Sequence, residues 1–258
     1  MIRLSEDEIK FFAQEGYVIK RGVLDEDLMK RGRDRMWANL PPPLECDRPD
    51  TWVGPLEQCD DPDSHRHNYM WRLRAPGREG WMIRLLATDP SVWGMAEQLL
   101  GEDSLVTPDR IRGIYCVVRD GDIPERPTTC HVDAHPFHLG VVGYIDDVGP
   151  ASGGFTVWPK SHRRFYYDFK SQYKHEPNDQ YQADKDHFDQ QPYRDCHGKA
   201  GDIVFWHHRI GHSVGHNRSD RIRQAVLYDY KKRDLKEDEP PCDYMWRDWP
   251  GVIRALEG

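Results

Sequence analysis

The sequence has no apolar run long enough to cross a membrane as a helix. Its strongest apolar stretches, Gly113 to Val118 and Ile203 to Trp206, are of strand length, far short of the roughly 20 residues a membrane helix needs. Basic excess is lacking too: 36 Lys and Arg stand against 44 Asp and Glu, for a net charge of −8 and a sequence pI near 5.9. No broad cationic surface is then available to neutralise nucleic-acid phosphates or to coat an anionic membrane, and neither is expected as a partner. The six cysteines (Cys46, Cys59, Cys116, Cys130, Cys196, Cys242) form no Cys-x-x-Cys pair and no zinc-ribbon spacing. Free thiols are therefore expected rather than a disulfide framework or structural zinc. The opening MIRLSEDEIKFF lacks a basic start followed by an apolar stretch, so no secretory signal is read and a cytoplasmic protein is expected. No internal repeat or low-complexity segment is visible. What the chain does have is aromatic residues, 11% with nine Trp, against 38% apolar residues and a mean hydropathy of −0.84. Disordered chains lack such aromatic content, so a folded, soluble protein is expected. Its 258 residues fit one domain with appendages.

Two kinds of pattern divide the chain. Ser5 followed three residues later by Glu8 is a capping-box pattern that predicts a first helix. Gly16 breaks it, YVIKRGVL alternates like a short strand, and DEDLMKRGRDRMWANL has helical spacing. Pro41 to Gly80 shows no sustained period and is expected to form long loops over a pocket or surface. DPSVWGMAEQLLG restores helical spacing and ends at Gly101. From about Asp109 the signal turns to strands: IRGIYCVV, FHLGVVGYIDD, GGFTVWP, GDIVFW and RQAVLYDY, which predict an antiparallel barrel or sandwich. The polar, aromatic-studded insert 165–199 is assigned to the barrel mouth as a lid-like loop. The tail 231–258 begins charged and ends with Trp246, Trp249, Val252 and Ile253, so it should dock back on the core. The division is thus 1–105 as helical support and pocket loops, 106–230 as barrel core, and 231–258 as tail, all in one domain.

Thirteen histidines offer candidates for chemistry. There are two His-x-Asp triplets, roughly what chance gives for this composition, so context has to separate them. His131 and Asp133 follow a strand and the turn-like DGDIPERPTT, and a spacing of two places both side chains on one face of extended backbone. His187 and Asp189 fall in the polar insert, where nothing predicts a strand. Two imidazoles and one carboxylate on one side of a metal leave three positions open, the arrangement non-haem Fe(II) oxygenases use. His197, His207, His208, His212 and His216 are candidates for the second imidazole. HNRSD reads as a polar turn, and a hairpin centred between Asn217 and Arg218 would set His212 across from Arg223, roughly 5 Å apart at Cα. A metal ligand would then share a cavity with a guanidinium suited to bidentate capture of a dicarboxylate cosubstrate.

These segments together resemble the phytanoyl-CoA dioxygenase family of Fe(II)- and 2-oxoglutarate-dependent oxygenases over most of residues 5 to 230. LSEDEIKFFAQEGYVIKRGVL is similar to that family's opening helix and strand. YIDDVGPASGGFTVWPKSHRR resembles its glycine turn and Ser-His segment, here Gly154, Pro159, Ser161 and His162. GDIVFWHHRIGHSVGHNRSDRIR resembles its distal-histidine segment, with Arg223 eleven residues past His212. The resemblance implies iron ligands His131, Asp133 and His212, and Arg223 as partner of the distal carboxylate of 2-oxoglutarate. It implies a mainly β fold with flanking helices, a double-stranded β-helix (jelly-roll, cupin-like) barrel. The family often has a hydroxyl residue two positions after the distal histidine; here that position is Val214 and the hydroxyl is on Ser213. The glycine common before Ser-His is Lys160. Retention of Asp133 favours hydroxylation over halogenation.

Around this centre, Tyr115 and Thr129 would face the pocket and are candidate 2-oxoglutarate contacts beside Ser213, with core packing as the plain alternative. His135 and His138 are candidates for touching substrate or orienting ligands, against a role as partly buried barrel residues. Arg72 and Arg74 are candidates for an anion-binding substrate contact, against a solvated pair. The expected reaction is hydroxylation of a C–H bond with Fe(II), 2-oxoglutarate and O2, releasing succinate and CO2. Its substrate is expected to be a small polar or natural-product molecule, the net negative charge and lack of a basic cluster disfavouring a CoA ester. An acyl-CoA hydroxylase, an epimerase on the same centre, and a non-catalytic cupin-like metal- or ligand-binding barrel are the rivals.

Overall fold

The structure is a computed structural model and describes residues 1–121 and 129–258; the central part of the expected turn from Asp120 to Thr129 lies outside the described residues. Helix α1 (Glu6–Glu15) begins at the predicted capping box: the Ser5 hydroxyl accepts from the Glu8 amide, and the Glu8 carboxylate accepts from the Ser5 amide at 2.7 Å. It ends at Gly16, whose φ of 84° is left-handed and whose missing Cβ would lie 2.5 Å from His162 Nδ1. There follow β1 (Tyr17–Lys20), α2 (Glu26–Trp37), β2 (Cys59–Asp60), β3 (Ser64–His67), β4 (Met70–Leu73), α3 (Gly80–Leu85), α4 (Pro90–Leu100), β5 (Ile114–Val117), β6 (Leu139–Tyr144) and β7 (Phe155–Val157). Then come α5 (His162–Phe165), α6 (Tyr181–Asp189), β8 (Arg194–Asp195), β9 (Ile203–His207), β10 (His212–Val214), β11 (Arg223–Tyr230) and α7 (Pro250–Glu257).

Among the described residues, eleven strands make two antiparallel sheets. The major sheet has the order β1-β9-β6-β11-β5-β4-β3-β2 and the minor sheet β10-β7-β8. Alternation gives the major sheet two apolar faces. One face carries Val142, Tyr144, Val204, Trp206, Ala225 and Leu227, which pack on Phe155 and Val157 of the minor sheet. The other carries Trp71, Ile114, Cys116, Val141, Phe205 and Val226, which pack with Phe12, Met36, Leu85 and Trp249. Gly140 lets the Trp206 ring lie flat on β6, since a Cβ there would meet it at 2.1 Å. The result is the cupin-like jelly-roll expected from the sequence, flanked by helices. Among the described residues, hydrogen bonds do not close the two sheets into one continuous barrel.

One expectation needs correction. Part of the segment from Pro41 to Gly80 is not loop: β2, β3 and β4 form a meander that extends the major sheet beyond β5. These strands hold only two to four residues, and SHRH of β3 has no buried side. Too few apolar residues fall in register to show a period. The insert packs Phe165, Phe169 and Phe188 against Cys130, Val132 and Trp158. The tail docks as expected, with Trp249 fully buried 5.5 Å from Phe12 and stacked on His207.

Candidate active site

His131 and His212 meet across a backbone bridge. The His131 amide donates to the His212 carbonyl at 3.0 Å and the return bond is 2.9 Å, so residue 131 extends the minor sheet beyond β10. Their rings are 4.5 Å apart at the centroids. Side chains alternate along 130–133: Cys130 and Val132 turn into the cluster under the insert, which leaves His131 and Asp133 on the cavity side. Asp133 Oδ1 lies 3.7 Å from His212 Nε2, and one donor atom from each of His131, Asp133 and His212 falls within 4.8 Å of the others. His212 Nδ1 is 3.0 Å from the Ile210 carbonyl. That contact fixes Nδ1 as the protonated nitrogen and leaves Nε2 with a free lone pair beside Asp133.

The electrostatics suit a cation. The His131 ring opens to solvent at the mouth, yet the protein packed behind it, and then His212 beside it, push its imidazole pKa down to about 3. Burial raises the Asp133 pKa, but His212 and Arg112 outweigh it and hold the carboxyl well below its usual range. At neutral pH the lowered His131 imidazole is therefore neutral beside an ionised Asp133 carboxylate. Arg112 was not singled out by the sequence. Its Nη2 donates to Asp133 Oδ2 at 3.1 Å and its Nε to Asp229 Oδ2 at 2.6 Å, with His135 Nε2 2.7 Å from the same Nη2. Asp133, His135 and Asp229 also lie close enough to suggest a second metal cluster, but the Arg112 guanidinium already bridges them. A second missed residue is Asp189, whose Oδ1 accepts from the Cys130 amide at 2.6 Å and so ties α6 to the segment carrying His131. Neither partnership has a sequence signal, because both join residues more than twenty positions apart.

Arg223 is 4% exposed and stands on the opposite wall of the cavity. Its Nε donates to the Gly153 carbonyl at 2.6 Å and its Nη1 to the Tyr115 carbonyl at 3.1 Å. A guanidinium has five donors, so three remain. No acidic side chain pairs with it among the described residues, and burial pushes its pKa down. The hairpin expected between His212 and Arg223 does not form. His212 pairs with Val157 in the minor sheet, whereas Arg223 pairs with Val117 in the major sheet. The two side chains face one cavity from different sheets.

That cavity, about 210 Å³, is lined by the three candidate ligands, by Arg223, Tyr115, Ser213 and Arg72, and by apolar walls from Val142, Phe155, Trp206 and Leu227. His67, Asn68, Tyr69 and Met70 of the meander form its rim, and no residue of the insert 165–199 lines it. Other candidates lie elsewhere. Thr129 is exposed and does not line the cavity. His138 is buried against Tyr173 at 4.6 Å and Trp249, on the far side of β6, with burial pushing its pKa down to about 3. Arg74 ion-pairs with Asp60 at 3.1 Å on the surface. His135 stacks on Phe137 next to Arg112.

The sequence profile described as phytanoyl-CoA dioxygenase (PhyH) matches residues 12–225. The chain belongs to this family. No curated protein matches it. Among solved structures, the non-heme alpha-ketoglutarate-dependent carbocyclase SnoK from nogalamycin biosynthesis is similar, at 22% identity over 94% of this chain and 95% of that one, with a TM-score of 0.58. The epimerase SnoN, in complex with Fe3+, alpha-ketoglutarate and nogalamycin RO, is also 22% identical, over 93% and 96%, with a TM-score of 0.58. EctD from S. alaskensis, with 2-oxoglutarate and 5-hydroxyectoine, is 18% identical over 95% and 84%, with a TM-score of 0.57. Family member and neighbours thus share the jelly-roll fold. No helix among the described residues is long and apolar enough to cross a membrane.

Proposed function

We propose that this family member is an Fe(II)- and 2-oxoglutarate-dependent oxygenase that hydroxylates a C–H bond of a small polar or natural-product molecule. The observation that carries the reading is the buried Arg223 guanidinium, without an acidic partner, facing the same cavity as a two-His, one-carboxylate cluster. Burying an unpaired cation is costly, so such a group is retained for an anion that arrives from outside. The donor set fits iron: two imidazoles and a carboxylate, with the cavity side open. His131, Asp133 and His212 would hold the metal, and Arg223, with Ser213 and Tyr115 nearby, the distal carboxylate of 2-oxoglutarate. Iron and cosubstrate together supply the oxidation of the C–H bond, with release of succinate and CO2.

The chain's own residues orient and exclude. Arg112 engages Asp133 Oδ2, which leaves Oδ1 on the His212 side. Ile210 fixes the His212 tautomer. Phe155, Trp206, Val142 and Leu227 keep water from the space between ligand cluster and guanidinium. The cavity volume suits a small molecule. The deciding experiment is anaerobic: Fe(II)-loaded protein titrated with 2-oxoglutarate should develop a visible metal-to-ligand band, absent from His131→Ala. Folded, iron-loaded protein that never shows the band would indicate a metal-binding barrel without this cosubstrate.

A further inference from the structure

Arg72 carries a second positive charge beside the same centre, and the oxygenase reading leaves it unused. It sits on β4 opposite Tyr115 of β5, its guanidinium 4.9 Å above the Tyr115 ring, and it lines the cavity with His131 and Asp133. Its Nε is fully buried with no hydrogen-bond partner, and among the described residues no carboxylate pairs with it. Arg74, two positions on, is paired with Asp60, and Arg112 with Asp229 and Asp133.

A charge count over the loaded site decides what it waits for. A divalent metal on two neutral imidazoles and one carboxylate leaves one positive charge. The dicarboxylate cosubstrate brings two negative charges and Arg223 one positive, so the sum is zero. Arg112 and Asp229 cancel. Among the described residues Arg72 is left over, stacked by Tyr115 with its planar edge open to two parallel hydrogen bonds. We propose that Arg72 is the anchor for a carboxylate on the substrate, which makes the substrate a small monocarboxylic acid. This rests on the oxygenase reading, since it assigns 2-oxoglutarate to Arg223.

The test is calorimetric. Protein loaded with Zn(II) and saturating 2-oxoglutarate is titrated with monocarboxylates from acetate to phenylacetate, with their amides, and with phenyl phosphate. The acids should bind at least about tenfold more tightly than the amides and than the phosphate, and Arg72→Gln should abolish the preference while leaving the 2-oxoglutarate Kd unchanged. Should Arg72→Gln fail to fold, Arg72→Lys serves: it should keep part of the acid preference, because it retains the charge without the planar fork. No preference for acids over amides in the wild type overturns the proposal. A tighter phosphate replaces the carboxylate by a dianion and overturns it likewise. A weaker 2-oxoglutarate Kd in Arg72→Gln would assign the guanidinium to the cosubstrate instead. Wild type that binds no 2-oxoglutarate at all would sink the oxygenase reading itself.

Discussion

Replacing Arg223 by Met separates the proposed cosubstrate anchor from the candidate metal centre. The side chain makes two hydrogen bonds, both to carbonyls, of Gly153 and Tyr115. Leaving those acceptors unpaired costs about 1–3 kcal/mol each. Removing a buried charge that lacks an acidic partner returns a similar few kcal/mol. The two terms oppose one another, so the stability of the ligand-free protein should change by less than about 2 kcal/mol. Binding of 2-oxoglutarate has no such compensation. Losing one member of a buried, hydrogen-bonded charge pair costs about 2–5 kcal/mol, or roughly thirty-fold to several-thousand-fold in Kd. Metal affinity should hold within about threefold, because none of His131, Asp133 and His212 hydrogen-bonds to Arg223. Calorimetry of wild type and Arg223→Met with Zn(II), then with 2-oxoglutarate on the Zn(II)-loaded protein, reads each quantity separately. A 2-oxoglutarate Kd within threefold of wild type would refute the anchor. An equal loss of metal and cosubstrate binding would refute the separation of the two half-sites.

Three further outcomes are expected. His138, His162, His207 and His208 are buried, and burial above all pushes their pKa values down, to about 3 for the first two. The unfolded chain therefore binds more protons below pH 6.5, and stability, full above that pH, should fall by about 1.4 kcal/mol per histidine, up to about 5.6 kcal/mol in all, from pH 7.5 to 5.5. A urea midpoint that stays flat over that window would contradict it. Asp189→Ala removes the acceptor of the Cys130 amide and should weaken divalent-metal binding about ten- to a hundredfold with the jelly-roll intact, checked by metal titration beside circular dichroism. Gly16→Ala adds a Cβ at positive φ and only 2.5 Å from His162 Nδ1, and should lower stability by at least about 1–2 kcal/mol in a thermal melt.

What the sequence made legible was local. The capping box at Ser5, the Gly16 stop, the strands from Ile114 onward and the alternation at His131 and Asp133 all depend on residues a few positions apart. The meander β2–β4 escaped because a four-residue strand with no buried side, such as SHRH, carries no period to read. Asp229, Arg112 and Asp189 escaped for a different reason. Their worth lies in long-range pairs, 117 positions from Arg112 to Asp229 and 59 from Cys130 to Asp189. His138 stayed open between two readings because a histidine in an aromatic core and one in a pocket look the same in sequence; burial among Tyr173 and Trp249 favours the barrel-residue alternative.

The hairpin that failed to form explains how the site is built. HNRSD is polar because it is a crossing between sheets: Asn217 donates to the Val117 and Arg221 carbonyls and bridges to Ser152, which carries the chain from β10 in the minor sheet to β11 in the major one. The ten residues between His212 and Arg223 are thus spent on spanning a cavity rather than on turning back along a strand. All three candidate metal ligands then belong to the minor-sheet side, while Arg223, Tyr115 and Arg72 belong to the major sheet. The spacing between ligand cluster and guanidinium follows from how Phe155 and Val157 pack on Val142 and Tyr144, and from the Arg223 hydrogen bond to the Gly153 carbonyl. A cosubstrate with a chelating end and a distal carboxylate is the shape such a divided site selects, because only a molecule that reaches both sheets satisfies the metal cluster and the unpaired guanidinium together.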